Sequence, residues 1–238
     1  MNQKKKEQDK SSTIVKPIIA NSEETIKPVT IIAETESPEL DEPQKVIPQE
    51  SQTQEEQKTT ESAKELKAVW NNKFKKTKHL PIEFYEKIIS ISKELDCEPN
   101  DLMAVINLET AGSFKASAQN KWTKATGLIQ FMPKTAKSLG TTIEDLAKMS
   151  EVDQLDYVKK YLLNRKKENK IKGKIDATTL YCFIFWPVAS KKDDSYVIAR
   201  DNPQKSNDTY DQNKGLDFNK DKVITRGDLA NRVKQFMV

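Results

Sequence analysis

The chain has 238 residues, of which 32% are charged and 36% hydrophobic, a length that fits one ordinary domain plus a tail or two small domains. Two cysteines are too few for a disulfide scaffold, and a single histidine, His79, argues against His-rich zinc sites and catalytic triads. No apolar run is long enough to span a membrane. The remaining classes of function are catalysis by carboxylates, binding of hard cations, and ligand binding without catalysis.

Charge divides the chain into two parts. Residues 1–62 hold eight Lys against thirteen Asp or Glu, a net charge of −5; since the whole chain is +4, residues 63–238 carry +9. A basic body favours an anionic partner such as nucleic acid or a cell-wall polymer. Scattered, solvated lysines are the plain alternative.

Residues 1–62 are predicted to be a disordered acidic linker. They contain no aromatic residue and no Gly but five of the ten prolines, so too little apolar surface is present to offset the entropy of ordering. Short apolar patches in this segment fit docking on a partner by strand addition, or are spare hydrophobes. The charged residues Lys4–Lys6 are not followed by the apolar core of a secretory signal. We therefore expect synthesis in the cytoplasm without general secretory export.

Beyond residue 62, hydrophobic spacing predicts helices and no alternating strand. A basic helix at 63–78 carries Leu66, Val69, Trp70 and Phe74, and an amphipathic helix follows at 81–95. Further helix starts are expected at proline or capping residues, namely at Pro99, Pro133, Ser150, Asp176 and the capping box Thr225–Asp228. The predicted fold class is mostly α, with one core between about residues 80 and 190.

Glu109 is the residue that departs from its pattern. It lies seven residues after Leu102, four after Val105 and three after Ile106, so it extends the apolar face of its helix. Desolvation raises the pKa of a carboxyl group, and a carboxyl that stays protonated near neutral pH is able to donate a proton. The alternative is that the helix ends near Gly112 and Glu109 turns outward to water.

Two motifs surround this carboxylate. Glu109-Thr110-Ala111-Gly112-Ser113-Phe114 is followed by Gly127-Leu128-Ile129-Gln130-Phe131-Met132-Pro133 and then Thr135-Ala136. The pair resembles the signatures of the soluble lytic transglycosylase family, which has a lysozyme-like fold. The resemblance covers about residues 80–190. The family's third signature is reduced here to Tyr181, and the segment 180–187 is closer to the phage-tail and secretion-associated branch.

The resemblance implies cleavage of peptidoglycan at the β-1,4 bond between N-acetylmuramic acid (MurNAc) and N-acetylglucosamine (GlcNAc). Glu109 is then the single acid and base, and the product is a 1,6-anhydro-MurNAc end. The resemblance implies no catalytic cofactor and puts five residues at the substrate: Thr110, Gly127, Leu128, Gln130 and Tyr181.

Other readings stay open. A hydrolytic muramidase needs a second carboxylate to activate water, for which Glu144, Asp145 and Asp176 are available. A non-catalytic wall-binding module is the rival from another class. Trp122 and Trp186 are candidates for stacking on sugar rings, with buried packing as the alternative.

A second resemblance lies near the C-terminus. The twelve residues 217–228 resemble an EF-hand calcium loop, although Lys222 replaces the usual Gly and Asp228 the usual Glu. The predicted ligands of a structural Ca²⁺ or Mg²⁺ are Asp217, Asn219, Asp221, Val223 through its carbonyl, Thr225 and Asp228. An Asp-rich turn that caps the last helix without an ion is the alternative.

Together these predictions divide the chain into three parts. Residues 1–62 form the linker, 63–200 a lysozyme-like lytic transglycosylase domain, and 201–238 an EF-hand-like loop with a terminal helix. The expected partners are peptidoglycan strands and, through residues 1–62, a protein of a phage tail or a contractile secretion apparatus that brings the enzyme to the cell wall. No nucleic-acid partner is expected.

Overall fold

The computed structural model describes residues 49–204 and 209–238. Within these ranges the chain is mostly helical, as predicted, with one short two-stranded sheet. The helices are α1 Gln49–Lys73, α2 Ile82–Leu95, α3 Pro99–Glu109, α4 Pro133–Ser138, α5 Ile143–Lys148, α6 Glu151–Glu168, α7 Ala177–Phe185, α8 Thr209–Asn213 and α9 Arg226–Lys234. The strands are β1 Val197–Arg200 and β2 Val223–Thr225, and short 3-10 turns cover Lys75–Thr77, Pro187–Lys191 and Lys214–Leu216.

The predicted helix starts are confirmed, and each has a local cause. Ser150 and Asp176 accept backbone N–H groups at 3.0 and 2.8 Å, which satisfies donors that the first helical turn leaves free. Pro99 and Pro133 stand in the first turns of α3 and α4, where the missing N–H of proline costs nothing. Local sequence therefore fixes where these helices begin.

The N-terminal prediction needs correction. Helix α1 begins at Gln49, so residues 49–62 of the predicted disordered linker form the first turns of a helix. Residues 1–48, with the predicted partner-docking patches, lie outside the described residues. Helix α1 packs on α2, and this tertiary contact supplies stabilisation that the local composition of 49–62 does not reveal.

The second half of α1 agrees only in part with its predicted apolar face. Leu66 and Trp70 are buried, and the Trp70 indole donates to Asn100 Oδ1 at 2.8 Å, which ties α1 to α3. Val69 is half exposed, and the helix ends at Lys73 instead of continuing to residue 78.

The sheet was not predicted. Strands β1 and β2 pair antiparallel, with Val197 opposite Thr225 and Arg200 opposite Val223. The paired residues are far apart in sequence, so no local turn motif predicts that these strands pair. Strand β2 lies inside the predicted cation loop.

The hydrophobic core extends further than the predicted range of 80–190. One cluster of buried residues runs from Ala63 in α1 to Val233 in α9. Helix α9 packs against α7 and α3, and Asn107 in α3 donates to the Phe236 carbonyl at 3.0 Å. The C-terminal segment is thus tied to the helix that carries Glu109. No described helix is long and apolar enough to cross a membrane.

Candidate active site

Glu109 is the last residue of α3 and is only 5% exposed. Leu102, Val105 and Ile106 on the same face are fully buried. The prediction that Glu109 continues the buried face is therefore confirmed, and the outward-turning alternative is wrong.

The chain reverses directly after this carboxylate. Ala111 and Gly112 adopt left-handed backbone angles, with φ of 51° and 76°, and the Gly112 N–H donates to the Asn107 carbonyl at 2.8 Å. The Thr110 hydroxyl donates to the Ile106 carbonyl at 2.7 Å and accepts the Phe114 N–H at 3.0 Å. Thr110 is thus committed to shaping the turn that leaves α3.

The second motif forms a small bridged structure over residues 118–131. Thr126 bridges to both Gln119 and Phe131, and the Gly127 N–H donates to the Ala118 carbonyl at 2.7 Å. The Gln130 amide donates to the carbonyls of Ala118 and Gly127, each at 3.0 Å. Gln130 also has a left-handed φ of 52°. Its side chain is therefore held in one orientation by the motif itself.

Gln154 is a supporting residue that the sequence reasoning missed. It is fully buried on α6, accepts the Leu128 N–H at 2.6 Å, and donates to the carbonyls of Ala116 and Leu146 at 3.1 and 2.7 Å. Its side chain fastens the second motif to α6 and to the end of α5. It stands four residues before the buried Val158, so the spacing argument used for Glu109 identifies it equally well.

Gly127 has its own reason to be glycine. Its φ is +89°, and a Cβ at this position would lie 2.2 Å from the Gln154 amide oxygen. Backbone conformation and the close approach of Gln154 both exclude a side chain here.

Two tyrosines share the neighbourhood of Glu109. Tyr181 is fully buried, and burial raises the pKa of its phenol well above the usual value, with the negative charge of Glu109 adding to the rise. Burial also raises the pKa of Tyr161; the Arg165 guanidinium opposes this shift and the Glu109 charge adds to it. Both phenols therefore stay protonated at neutral pH, near the candidate acid.

The surroundings of the two phenols differ. The Tyr161 hydroxyl donates to the Phe183 carbonyl at 2.8 Å. The Tyr181 hydroxyl is buried and has no hydrogen-bond partner among the described residues. Phe183 and Phe185, on the same helix as Tyr181, belong to the hydrophobic core and are 0% and 2% exposed.

A cavity of about 20 Å³ lies beside Gln130, a size that admits about one water molecule. Its walls are formed by Ile129, Gln130, Phe131, Met132, Thr135, Tyr161 and Ile184. Gln130 and Tyr161 thus share one cavity, and Tyr161 in turn lies near Glu109. The side-chain amide oxygen of Gln130, Oε1, is buried without a hydrogen-bond partner among the described residues.

The candidate second carboxylates have other tasks. Asp176 Oδ1 caps α7, and Asp145 accepts the Thr142 hydroxyl at 2.8 Å at the start of α5. Glu144 is exposed in the first turn of α5. Cys97 and Cys182 are both buried free thiols.

The predicted cation loop is organised by its own hydrogen bonds. Asp217 accepts the N–H groups of Asp221 and Lys222 at 3.2 and 2.9 Å, and Asp228 accepts those of Phe218 and Thr225 at 3.1 and 2.8 Å. The capping box at the start of α9 is confirmed.

The arrangement of carboxylates and lysines in the loop bears on the predicted cation site. In the part of the chain that the structure describes, no three His, Cys, Asp or Glu side chains are grouped to hold an ion. Two lysines, Lys220 and Lys222, take left-handed backbone angles within the loop and add positive charge to it. The six predicted ligands, Asp217, Asn219, Asp221, Val223, Thr225 and Asp228, stay a prediction.

In a comparison with protein families, residues 86–160 fit the family model described as Transglycosylase SLT domain. Residues 86–160 are thus similar to a transglycosylase SLT domain. This domain indicates lytic transglycosylase activity on peptidoglycan, a reaction that needs no cofactor. The matched range includes Glu109, the second motif and Gln154, and it ends before Tyr181. No curated protein and no solved structure matched the chain.

Proposed function

We propose that the SLT domain cleaves the MurNAc–GlcNAc β-1,4 bond with Glu109 as its only catalytic carboxylate and leaves a 1,6-anhydro-MurNAc end. The observation that carries this proposal is the placement of Glu109, which is almost fully buried at the end of α3 and close enough to Tyr161 and Tyr181 for its charge to act on both phenols. Burial disfavours the charged form of a carboxyl group, which suits a group that donates a proton in the first step.

The proposed reaction uses the Glu109 carboxyl group twice, first as an acid and then as a base. Glu109 first donates its proton to the glycosidic oxygen, and the bond from that oxygen to C1 of MurNAc breaks. The C6 hydroxyl of the same MurNAc then attacks C1 and gives its proton to the Glu109 carboxylate. The enzyme returns to its starting state and no water is consumed, so a second carboxylate is not needed. The caps that engage Asp145 and Asp176 support this outcome over hydrolysis with inversion.

Among the predicted substrate residues, Gln130 and Tyr181 have the strongest support for direct contact. Each has a buried polar side-chain atom without a hydrogen-bond partner among the described residues. These atoms are the amide oxygen Oε1 of Gln130 and the hydroxyl of Tyr181. The hydrogen bonds of Thr110 and Leu128 support a shaping role, as does the tight approach at Gly127. We propose that these three residues hold the frame in which Gln130 meets the sugar.

Product analysis tests the proposed reaction. Purified wall sacculi are digested with the full chain, and the soluble muropeptides are weighed by mass spectrometry. The proposal predicts MurNAc ends that are lighter by one water than reducing ends. Reducing ends would establish the hydrolytic alternative, and the absence of soluble products would favour the non-catalytic wall-binding module.

The route to the wall is also a proposal. The likeness of segment 180–187 to the tail- and secretion-associated branch supports delivery by a phage tail or a contractile secretion apparatus. Detection of the chain in purified particles of such an apparatus tests this route, and its absence from them would contradict it.

Cation binding by the 217–228 loop is tested separately. Titration with Ca²⁺ or Mg²⁺ in a calorimeter should give heat with the parent chain and none with Asp217→Ala if the predicted ligands act. No heat with the parent would end the metal assignment, and the loop would then serve only to cap α9.

A further inference from the structure

Trp122 stands apart among the large hydrophobic side chains of the described residues. It is 89% exposed, whereas the next most exposed ones, Val188 and Phe218, are 54% and 53% exposed. A single exposed hydrophobic residue is common on protein surfaces and is not by itself a site. The turn around Trp122 and the charges near it indicate that the exposed indole binds a ligand.

The turn that presents Trp122 is built from fixed hydrogen bonds. We call residues 119–126 the Trp122 turn. Asn120 is only 4% exposed, and its Oδ1 accepts the N–H groups of Trp122 and Thr123 at 2.9 and 3.3 Å. The Asn120 N–H donates to the Ala125 carbonyl at 2.8 Å, and the Lys124 N–H donates back to the Asn120 carbonyl at 2.9 Å. The backbone under the indole is therefore organised in advance, which lowers the entropy cost of binding a ligand.

The base of the turn is continuous with the candidate active site. Gln119 and Thr126, which close the turn, are bridged, and Thr126 is also bridged to Phe131 next to Gln130. The Ala118 carbonyl, just before the turn, accepts both the Gly127 N–H and the Gln130 amide. A ligand held by Trp122 is thus held by the same segment that positions Gln130.

Charge indicates the chemistry of that ligand. Lys121 and Lys124 belong to the same turn as Trp122, within two residues of it in sequence, and both are exposed. Neither lysine forms an ion pair with a carboxylate within the described residues. An exposed indole with two exposed lysines in the same turn suits a ligand that combines apolar ring faces with carboxylates. Peptidoglycan strands have both, in the C–H faces of their sugar rings and the acidic groups of their stem peptides.

We propose that the Trp122 turn is an accessory binding site for the glycan strand, outside the bond that is cut. The Trp122 indole stacks on a sugar ring, and Lys121 and Lys124 pair with stem-peptide carboxylates. The inference rests on the proposed function, in which peptidoglycan is the substrate. The turn holds substrate and does not take part in the proton transfers, so its loss raises KM and leaves kcat unchanged.

The first test measures binding without cleavage. Full-length Glu109→Gln chains, with and without Trp122→Ala, are titrated onto insoluble peptidoglycan. The expected result is about tenfold weaker binding after Trp122→Ala. Phe218→Ala, which removes an exposed aromatic residue elsewhere, is the matched control and should bind as its background does. Equal affinity of the Trp122→Ala and background chains would overturn the proposal.

The second test concerns the two cations. Lys121→Gln/Lys124→Gln keeps side-chain length and removes two charges, and Lys214→Gln/Lys234→Gln removes two charges from exposed sites elsewhere. Only the first pair should weaken binding to intact wall, and the loss should shrink at high salt and on glycan stripped of stem peptides. Equal losses from both pairs would contradict a specific role for the turn. Retention on anionic lipid vesicles or single-stranded DNA as tight as on wall would also overturn the proposal.

The cleavage assay separates this inference from the proposed function. A parent chain that releases anhydro products, together with a Trp122→Ala variant of unchanged KM, would refute only the accessory site. A parent chain that releases no product would refute the proposed reaction, and the binding titrations would still judge the accessory site.

Discussion

The segment around Glu109 and the loop 217–228 both contain buried carboxylates, yet the two regions use them differently. In the loop, Asp217 and Asp228 accept hydrogen bonds from the backbone N–H groups that form the turn. Glu109 instead ends a buried helix face, near the fully buried Tyr181 and the partly buried Tyr161. A buried acid is a candidate catalyst when its neighbours are polar side chains such as these tyrosines. It has a structural role when its oxygens accept hydrogen bonds from the backbone of its own loop.

The family match divides the same two regions. Residues 86–160 fit the SLT family model, and the loop lies beyond that range. In the matched region, each unusual residue has a three-dimensional reason, such as the Gln154 amide that excludes a side chain at Gly127. In the loop, the pattern of oxygen-bearing residues is accounted for by turn formation and helix capping. Four predictions test this difference, from the largest expected effect to the smallest.

Replacing Gln154 should have the largest effect on stability. Gln154→Leu leaves the Leu128 N–H and the Ala116 carbonyl without partners and removes one of the hydrogen bonds to the Leu146 carbonyl, which should lower the free energy of unfolding by about 4 kcal/mol. Urea unfolding measures the loss. The exposed Gln235→Leu is the control and should change stability by about 0.5 kcal/mol or less. Equal effects at the two positions would show that Gln154 does not hold the second motif.

Alkaline pH should destabilise the fold at α7, the helix that packs against both α3 and α9. Burial raises the pKa of the Cys182 thiol to about 12, with the nearby Arg226 opposing the shift. A raised folded-state pKa means that this contribution to stability is complete below about pH 9 and is lost as the pH rises towards 12. Between pH 8 and pH 11 the parent should lose about 2–3 kcal/mol more than Cys182→Ala. Equal losses in denaturant titrations would contradict this assignment.

The capping role of Asp228 predicts a loss that is independent of calcium. Asp228→Ala removes the capping box of α9 and should cost about 2 kcal/mol, or about 4–8 °C in Tm. The loss should be the same with calcium and with chelator. Asp221→Ala removes a carboxylate from the same loop but leaves the box, and should cost less than about 1 kcal/mol. Losses of stability that depend on calcium and are equal in both variants would support the predicted metal site.

Tyr181→Phe should separate activity from stability. The Tyr181 hydroxyl has no partner among the described residues, so its removal should leave the unfolding free energy unchanged within about 0.5 kcal/mol. If the hydroxyl meets the sugar, kcat should fall about tenfold, equivalent to about 1.4 kcal/mol. Tyr161→Phe is the contrast, since losing its bond to the Phe183 carbonyl should cost about 1 kcal/mol in stability. Full activity of Tyr181→Phe would remove Tyr181 from the site.

Much of this structure follows from short-range sequence signals. The helix starts at Ser150 and Asp176 depend on side chains three residues from the N–H groups they accept, and spacing alone predicted the burial of Glu109. The pairing of β1 with β2 and the start of α1 at Gln49 depend on contacts between distant segments, which no local pattern encodes.

The supporting residues of the site were harder to predict for the same reason. Gln154 follows the spacing of a buried face, but its three partners lie in other segments, so its function is visible only in the fold. Val69 shows the opposite case, since a residue on a predicted apolar face remains half exposed where no other element covers it.

The most direct test of the central claim is the rate at which Glu109→Gln releases soluble muropeptides from wall sacculi. This change keeps the shape of the side chain and removes the proton, so the account predicts a fall in kcat of about 10²- to 10⁴-fold with an unchanged unfolding transition. Release at the parent rate by a correctly folded Glu109→Gln chain would show that another group supplies the proton and would contradict the account.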